Sequence, residues 1–161
     1  MSITFSVSEI FNIAINIERR GITFYDIMAK STDDEMARYV FRSLVEMERA
    51  HIEVFQDMLA EADKYEPRET STEDYAGYLN ALIDNAVFTE DMLTSEMATQ
   101  IDSDIKALEL GINAEKDSIL FYYQIRDIMP RKATPAIDRV ISEEKSHLQQ
   151  LADVKKKLAT K

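Results

Sequence analysis

The sequence predicts an all-α protein, an antiparallel four-helix bundle built from two helical hairpins and one long crossover. Turn residues are scarce, with three glycines and three prolines among 161 residues, whereas helix-forming residues recur throughout the chain. Apolar residues also recur at three- and four-residue steps along four long segments, which is the spacing of a buried helix face. A chain of this length is expected to form one domain, residues 1–161.

The first hairpin is predicted to pair a helix over about residues 6–30 with one over about residues 32–64. Both segments open with capping-box spacing, in which a serine or threonine precedes a glutamate by three residues. These pairs are Ser6 with Glu9 and Thr32 with Glu35.

The second hairpin is predicted to pair a helix from near Ser95 to Met129 with one that begins at Thr134. Pro130 stops the first of these helices. Thr134 is the expected capping residue of the second, because Pro135 then occupies the first helical position. This last helix continues almost to the C-terminus.

The connection between the hairpins is about thirty residues long, and the others are only a few residues. A structureless loop of that length is unusual in a compact domain, and residues 73–88 carry spaced apolar residues, so a short extra helix is predicted there. Two hairpins joined by one long crossover is the connectivity of ferritin-like bundles.

Composition excludes several classes of function. The net charge of −11 argues against a nucleic-acid partner. No stretch is long and apolar enough for a membrane span, and no signal peptide is evident. The chain has no cysteine, which excludes disulfides and thiolate metal sites. We therefore expect a cytoplasmic protein, and a homodimer, since symmetric pairs are the commonest assembly.

An internal repeat divides the chain into two related halves. The segment from Ile15 to Tyr25 matches the segment from Ile112 to Tyr122 without a gap, with six identities in eleven positions. Further on, V-E-M-E-R-A-H (45–51) matches I-S-E-E-K-S-H (141–147). Each half is therefore one hairpin that carries the same polar residues.

Six polar residues interrupt the apolar faces of the four long helices. Each hairpin has a glutamate on its first helix and a Glu-x-x-His pair on its second. The six are Glu18, Glu48, His51, Glu115, Glu144 and His147. Helical spacing brings them together near the middle of one core.

Four buried carboxylates would repel one another, so the predicted core needs positive charge. Two divalent cations would supply four charges, and this ligand set is that of ferritin-like two-metal proteins. The alternative is a buried ion-pair network, but no lysine or arginine falls on the predicted core faces. The sequence therefore predicts a two-metal site on these six residues.

Two tyrosines and two small residues accompany the predicted ligands. Tyr25 and Tyr122 each follow a ligand glutamate by seven residues, so they lie on nearly the same helix face. Each is a candidate hydrogen-bond partner of a ligand or a redox-active neighbour, or else an ordinary core aromatic. Gly21 and Ser118 either leave room for an oxygen species or permit close helix packing.

These motifs resemble the rubrerythrin-like branch of the ferritin-like superfamily over nearly the whole chain. The resemblance implies that Glu18 and Glu115 are terminal ligands, that Glu48 and Glu144 bridge two irons, and that His51 and His147 each cap one iron. It also implies reduction of hydrogen peroxide at a di-iron centre. Manganese and zinc are the alternatives to iron, because Glu and His ligands accept all three metals.

Two features depart from rubrerythrins. The four-cysteine rubredoxin module is absent from this sequence, so electrons would come from an external donor such as a rubredoxin-like protein. Ser118 stands where rubrerythrins carry a further ligand glutamate, and the remaining set is similar to the ferroxidase centre of bacterioferritin.

Three functions follow as hypotheses. The first is a di-iron oxidoreductase, a peroxidase or oxidase, that reduces peroxide or dioxygen. The second is a ferroxidase or an iron storage or delivery protein. The third is a non-enzymatic, metal-stabilised module.

Overall fold

The computed structural model describes residues 5–65, 75–86 and 101–161, and in these ranges it is a bundle of α-helices without strands. The α-helices of these ranges are α1 (Val7–Ser31), α2 (Glu35–Ala60), α3 (Tyr75–Asp84), α4 (Asp104–Ile128) and α5 (Thr134–Ala159). The predicted all-α, ferritin-like bundle is confirmed.

The helices pair as the connections predict. The most extensive contacts join α1 to α2 and α4 to α5, and smaller interfaces join α2 to α5 and α1 to α4. The short helix α3, part of the crossover, packs on α4. Its predicted ends at residues 73–74 and 87–88 lie outside the described residues.

Several helix ends differ from the prediction, and α2 ends at Ala60 instead of near residue 64. The capping box of Ser6 and Glu9 is present. Thr32, however, caps the end of α1, and Asp34 is the N-cap of α2, accepting a hydrogen bond from the N–H of Ala37 at 2.8 Å. The prediction of Thr32 as the start of α2 was wrong, because Asp34 offers a carboxylate closer to the first turn.

In the second hairpin, the starts of both helices also differ from the prediction. Ser103 caps α4 by accepting from the N–H of Lys106, so this helix does not run unbroken from near Ser95, and residues 95–100 lie outside the described part. Thr134 is the first residue of α5 and makes no capping hydrogen bond. A short 3₁₀ turn, Arg131–Ala133, leads directly into the helix and leaves no extended position for a cap.

The core consists of two apolar clusters, one toward each end of the bundle. One contains Phe11, Phe55, Phe121 and Ile137, and the other contains Phe24 and residues of α2, α4 and α5. A layer of buried polar residues separates them along every long helix. Among the described helices, none is long and apolar enough to cross a membrane.

Candidate metal centre

All six predicted ligands lie in the polar layer between the two apolar clusters. Each long helix contributes to it, and each of the six residues is at most 3 % exposed. Burial of this kind is unusual for carboxylates unless they are compensated. The structure thus brings together every residue that the repeat singled out, and their binding of metal stays a prediction.

The ligand atoms form two overlapping groups. Within each group one ligand atom per residue lies within 4.8 Å of the others. The first group is Glu18, Glu48, His51 and Glu144, and the second is Glu48, Glu115, Glu144 and His147. Glu48 and Glu144 therefore belong to both groups, whereas each histidine and each remaining glutamate belongs to one.

Both imidazoles turn the same nitrogen toward the carboxylates. Nδ1 of His51 lies 3.2 Å from Glu48 and 3.4 Å from Glu144. Nδ1 of His147 lies 2.8 Å from Glu144 and 3.4 Å from Glu48. The two rings stack with their centroids 5.5 Å apart. A metal in either group would therefore meet Nδ1 and leave Nε2 free to donate its proton outward.

The two tyrosines each hold a glutamate from the opposite half of the chain. The hydroxyl of Tyr25 donates to Oε1 of Glu115 at 2.5 Å, and that of Tyr122 donates to Oε1 of Glu18. Burial and the nearby carboxylates raise the pKa of both tyrosines well above the ordinary value, so both stay protonated as donors. Of the roles that the sequence left open for the two tyrosines, the structure supports that of hydrogen-bond partner to a candidate ligand.

The pKa values of the buried carboxyl groups are shifted in different directions. Burial and the charge of Glu48 raise the pKa of Glu18 to about 8. Burial and the charges of Glu144 and Glu48 likewise raise the pKa of Glu115. Burial and the charge of Glu144 push the pKa of Glu48 upward, but hydrogen bonds from Glu18 and the two histidines outweigh them and lower it.

The histidines retain protons despite their burial. Burial by itself lowers the pKa of His147, but contacts with Glu144 and Glu48 outweigh it and raise the pKa to about 9. The pKa of His51 also rises, since its contacts with Glu144, Glu18 and Glu48 exceed the cost of burial. The metal-free cluster thus holds protons among its carboxylates.

The outer nitrogens of the two histidines have different surroundings. Nε2 of His51 lies 2.8 Å from Oε2 of Glu143, whereas the buried Nε2 of His147 has no hydrogen-bond partner among the described residues. Glu143 could not be recognised from the sequence, because a partly exposed glutamate on a charged helix carries no signal of its own. The internal repeat aligns Glu143 with Met47, so the two halves of the chain differ at this position.

A cavity of about 110 Å³ lies beside the cluster. Three of the four cluster glutamates reach its mostly apolar wall, together with Gly21, Ser118 and, from α3, Leu82 and Ile83. A Cβ atom at Gly21 would lie 3.7 Å from Cγ of Glu48. Of the two roles that the sequence left open for Gly21 and Ser118, room near the ligands or close helix packing, their position on the cavity wall favours the first.

The donor set fits a pair of metal ions. Buried residues in the described part of the chain include no lysine or arginine, so the core itself supplies no fixed cation. Four carboxylates and two Nδ1 atoms in two overlapping groups offer the oxygen and nitrogen ligands that iron, manganese and zinc accept. Two divalent ions would replace the protons that the metal-free cluster retains.

A helical bundle with two Glu-x-x-His pairs and two further glutamates in its core defines a ferritin-like protein of the two-metal class. The Rubrerythrin family model matches residues 9–155 of this chain. The chain therefore belongs to the Rubrerythrin family, a ferritin-like di-iron family. No curated protein and no solved structure matches it at a significant level.

Proposed function

We propose that this protein is a di-iron oxidoreductase that reduces hydrogen peroxide or dioxygen with electrons from an external donor. One observation carries the proposal: two ligand groups share Glu48 and Glu144, and the cluster borders a cavity. Membership of the Rubrerythrin family supports iron as the metal.

The chemistry divides between the metals and the chain. A pair of bound ferrous ions would supply two electrons, and reduction of hydrogen peroxide to two water molecules consumes these with two protons. The chain holds the ligands in place: Tyr25 fixes Glu115 and Tyr122 fixes Glu18 through hydrogen bonds. Apolar clusters on both sides limit the access of bulk water.

The cavity supports entry of a small oxidant. Its volume of about 110 Å³ accommodates molecules of the size of dioxygen or peroxide, and Gly21 and Ser118 keep its wall open toward the glutamates. A larger side chain at either position would narrow this path. Since the chain contains no cysteine, a rubredoxin-like protein is a suitable separate donor.

The test is anaerobic loading with ferrous iron, followed by metal counting and stopped-flow mixing with peroxide. We expect about two irons per chain and oxidation much faster than that of free ferrous iron. Oxidation no faster than free iron would contradict the proposal. A site that prefers zinc and shows no oxidation would instead indicate a metal-stabilised module.

A variant that narrows the cavity distinguishes entry of the oxidant from binding of iron. Gly21→Val is expected to slow oxidation by peroxide while the iron content stays near two per chain. Gly77→Val is the matched control, because no atom lies within 4 Å of a Cβ built at Gly77. Equal rates in the two variants would show that the oxidant does not enter through this cavity.

A ferroxidase is the second candidate, and Ser118 is the observation that favours it. The side chain at this position borders the cavity and offers no further carboxylate beside Glu115. The remaining four glutamates and two histidines form a symmetric set, similar to the set expected of a ferroxidase centre. Repeated oxidation of many irons per chain, with sedimentation showing a large hollow assembly, would favour storage. A dimer that retains only the paired irons would exclude it.

A further inference from the structure

The two halves of the candidate metal centre differ clearly at one contact, on the outer nitrogen of the histidine. Nε2 of His51 lies 2.8 Å from Oε2 of Glu143, whereas Nε2 of His147 is buried without a partner in the part of the chain that the structure describes. The two rings are otherwise alike, since both are 1 % exposed and both turn Nδ1 toward the shared carboxylates. The difference therefore lies outside the ligand set.

The internal repeat explains why only one histidine has this contact. Glu143 directly precedes Glu144, and Met47 directly precedes Glu48, at an offset of 96 residues. A methionine thioether is only a weak hydrogen-bond acceptor. One half of the chain thus carries a carboxylate where the other carries a sulfur atom.

The contacts of Glu143 orient its carboxylate. Its second oxygen, Oε1, lies 3.4 Å from Nε of Arg139, one turn earlier on α5, and its side chain is 30 % exposed. Each oxygen of Glu143 therefore has its own partner. The carboxylate connects the buried ring of His51 with the surface of the bundle.

A carboxylate at this place changes how the ring binds metal. A metal on Nδ1 requires the ring proton to sit on Nε2, which in His51 can donate to Glu143. Such a partner fixes the ring orientation and increases the donor strength of Nδ1, and its loss typically lowers metal affinity by roughly 10- to 100-fold. The buried N–H of His147 gains no such compensation.

We propose that Glu143 makes the two metal positions unequal. The position formed with Glu18 and His51 fills first and binds its metal more tightly than the position formed with Glu115 and His147, by roughly 10- to 100-fold. Glu143 is a positioning residue that acts through His51. The inference rests on the proposed two-metal centre and adds an order of filling to it.

The direct test is a calorimetric titration of the metal-free full-length protein with Co(II), followed in parallel by visible absorption. We expect two binding steps separated by roughly 10- to 100-fold in dissociation constant. His51→Ala should abolish the tight step, whereas His147→Ala should abolish the weak one. Two equal steps, or loss of the tight step in His147→Ala only, would overturn the inference.

A reciprocal pair of variants isolates the carboxylate. Glu143→Met makes the first half resemble the second and should weaken the tight step roughly 10-fold or more, bringing the two constants together. Glu143→Gln retains an acceptor without the charge and should fall between Glu143→Met and the unmodified protein. Met47→Glu supplies a carboxylate at the equivalent position and should tighten the weak step.

The control is Glu46→Gln, which removes an exposed carboxylate paired with Arg49 and should leave both constants unchanged. A Glu143→Met protein that is folded by circular dichroism and keeps its tight step would contradict the inference. Complete absence of metal binding in the unmodified protein would overturn the proposed centre as well. Two equal steps would overturn only the proposed inequality.

Discussion

At the scale of single residues, the most informative feature is that two glutamates belong to both ligand groups and two belong to one. Glu48 and Glu144 are shared, whereas Glu18 and Glu115 serve one group each. Removal of a shared carboxylate therefore affects both metal positions, and removal of an unshared one affects a single position.

We expect Glu48→Gln to retain fewer than one metal per chain after dialysis, because both positions lose a carboxylate oxygen. Glu18→Gln should retain about one, since the group with Glu115 and His147 remains complete. Metal analysis by plasma mass spectrometry measures this difference. Equal metal content in the two variants would contradict the shared arrangement.

The tyrosine hydroxyls contribute to stability in the absence of metal. Tyr25→Phe leaves a buried oxygen of Glu115 without its donor, and we expect a loss of about 1–3 kcal/mol in the free energy of unfolding. Urea denaturation of the metal-free protein measures it. The control is Tyr39→Phe, whose side chain is 75 % exposed and should change stability little. A Tyr25→Phe protein as stable as this control would show that the hydrogen bond contributes nothing.

The six candidate ligands could be predicted because the chain states them twice and because helical periodicity places charged residues on apolar faces. Glu143 could not, since its position on α5 looks like that of any solvent-facing glutamate. The tyrosine contacts were only partly predictable. Spacing along one helix puts Tyr25 on nearly the same face as Glu18, about two turns further on, but the packing of the helices gives it Glu115 as its partner.

At the scale of helices, the bundle brings α1 and α4 close together at Gly111. A Cβ atom there would lie 3.2 Å from Cδ1 of Leu151 and 3.3 Å from Cε1 of Tyr25. The Tyr25 ring is buried and held by its hydrogen bond to Glu115, so it has little freedom to move. The glycine thus permits close packing beside the metal centre.

We expect Gly111→Ala to destabilise the protein by about 1 kcal/mol, although alanine favours a helix over glycine by a similar amount. Gly77→Ala, in α3 with open space around it, should instead stabilise by roughly 0.5–1 kcal/mol. Thermal or urea denaturation of both variants measures the contrast. Stabilisation by both substitutions would show that Tyr25 and Leu151 adjust without cost.

Helix number and pairing were predictable from periodicity and connection length, whereas several helix ends were not. Thr32 and Asp34 both have side chains that can cap a helix, and only the path of the turn decides which of them does. Near the start of α5, a 3₁₀ turn leads into the helix and replaces the expected cap at Thr134. Such choices depend on packing between helices rather than on local composition.

At the scale of the whole molecule, the polar layer lies at the junction of the two hairpins. Within each hairpin the helices share long apolar interfaces, while the interfaces between hairpins are smaller. The shared glutamates and the crossed tyrosine contacts lie at this junction. The charge state of the layer therefore affects how firmly the hairpins are held together.

We expect the metal-free protein to lose stability as the pH rises. The pKa of Glu18 is raised from 4.5 to about 8 and that of His147 from 6.5 to about 9. The stability that each proton contributes is full below the lower value and is lost as the pH passes the higher one. The lowered pKa of Glu48 changes stability only below about its ordinary value of 4.5, so Glu48 does not alter the trend at neutral and alkaline pH.

Melting temperatures in a chelator should therefore fall by more than about 4 °C between about pH 6 and about pH 9. Added Co(II) should act in the opposite sense, stabilising more at the higher pH, because metal binding requires deprotonated ligands. Glu18→Gln should show a weaker pH dependence without metal. A melting temperature that rises with pH in the chelator would contradict this account of the cluster.

Because the two hairpins belong to one chain, the surroundings of the two candidate metal positions can change independently. In a symmetric dimer of identical hairpins, any substitution appears twice, so both metal positions would change together. Here the two copies lie in one polypeptide, and each can vary alone. Glu143 and Met47 occupy equivalent places with different chemistry, a difference that a dimer of identical hairpins could not encode.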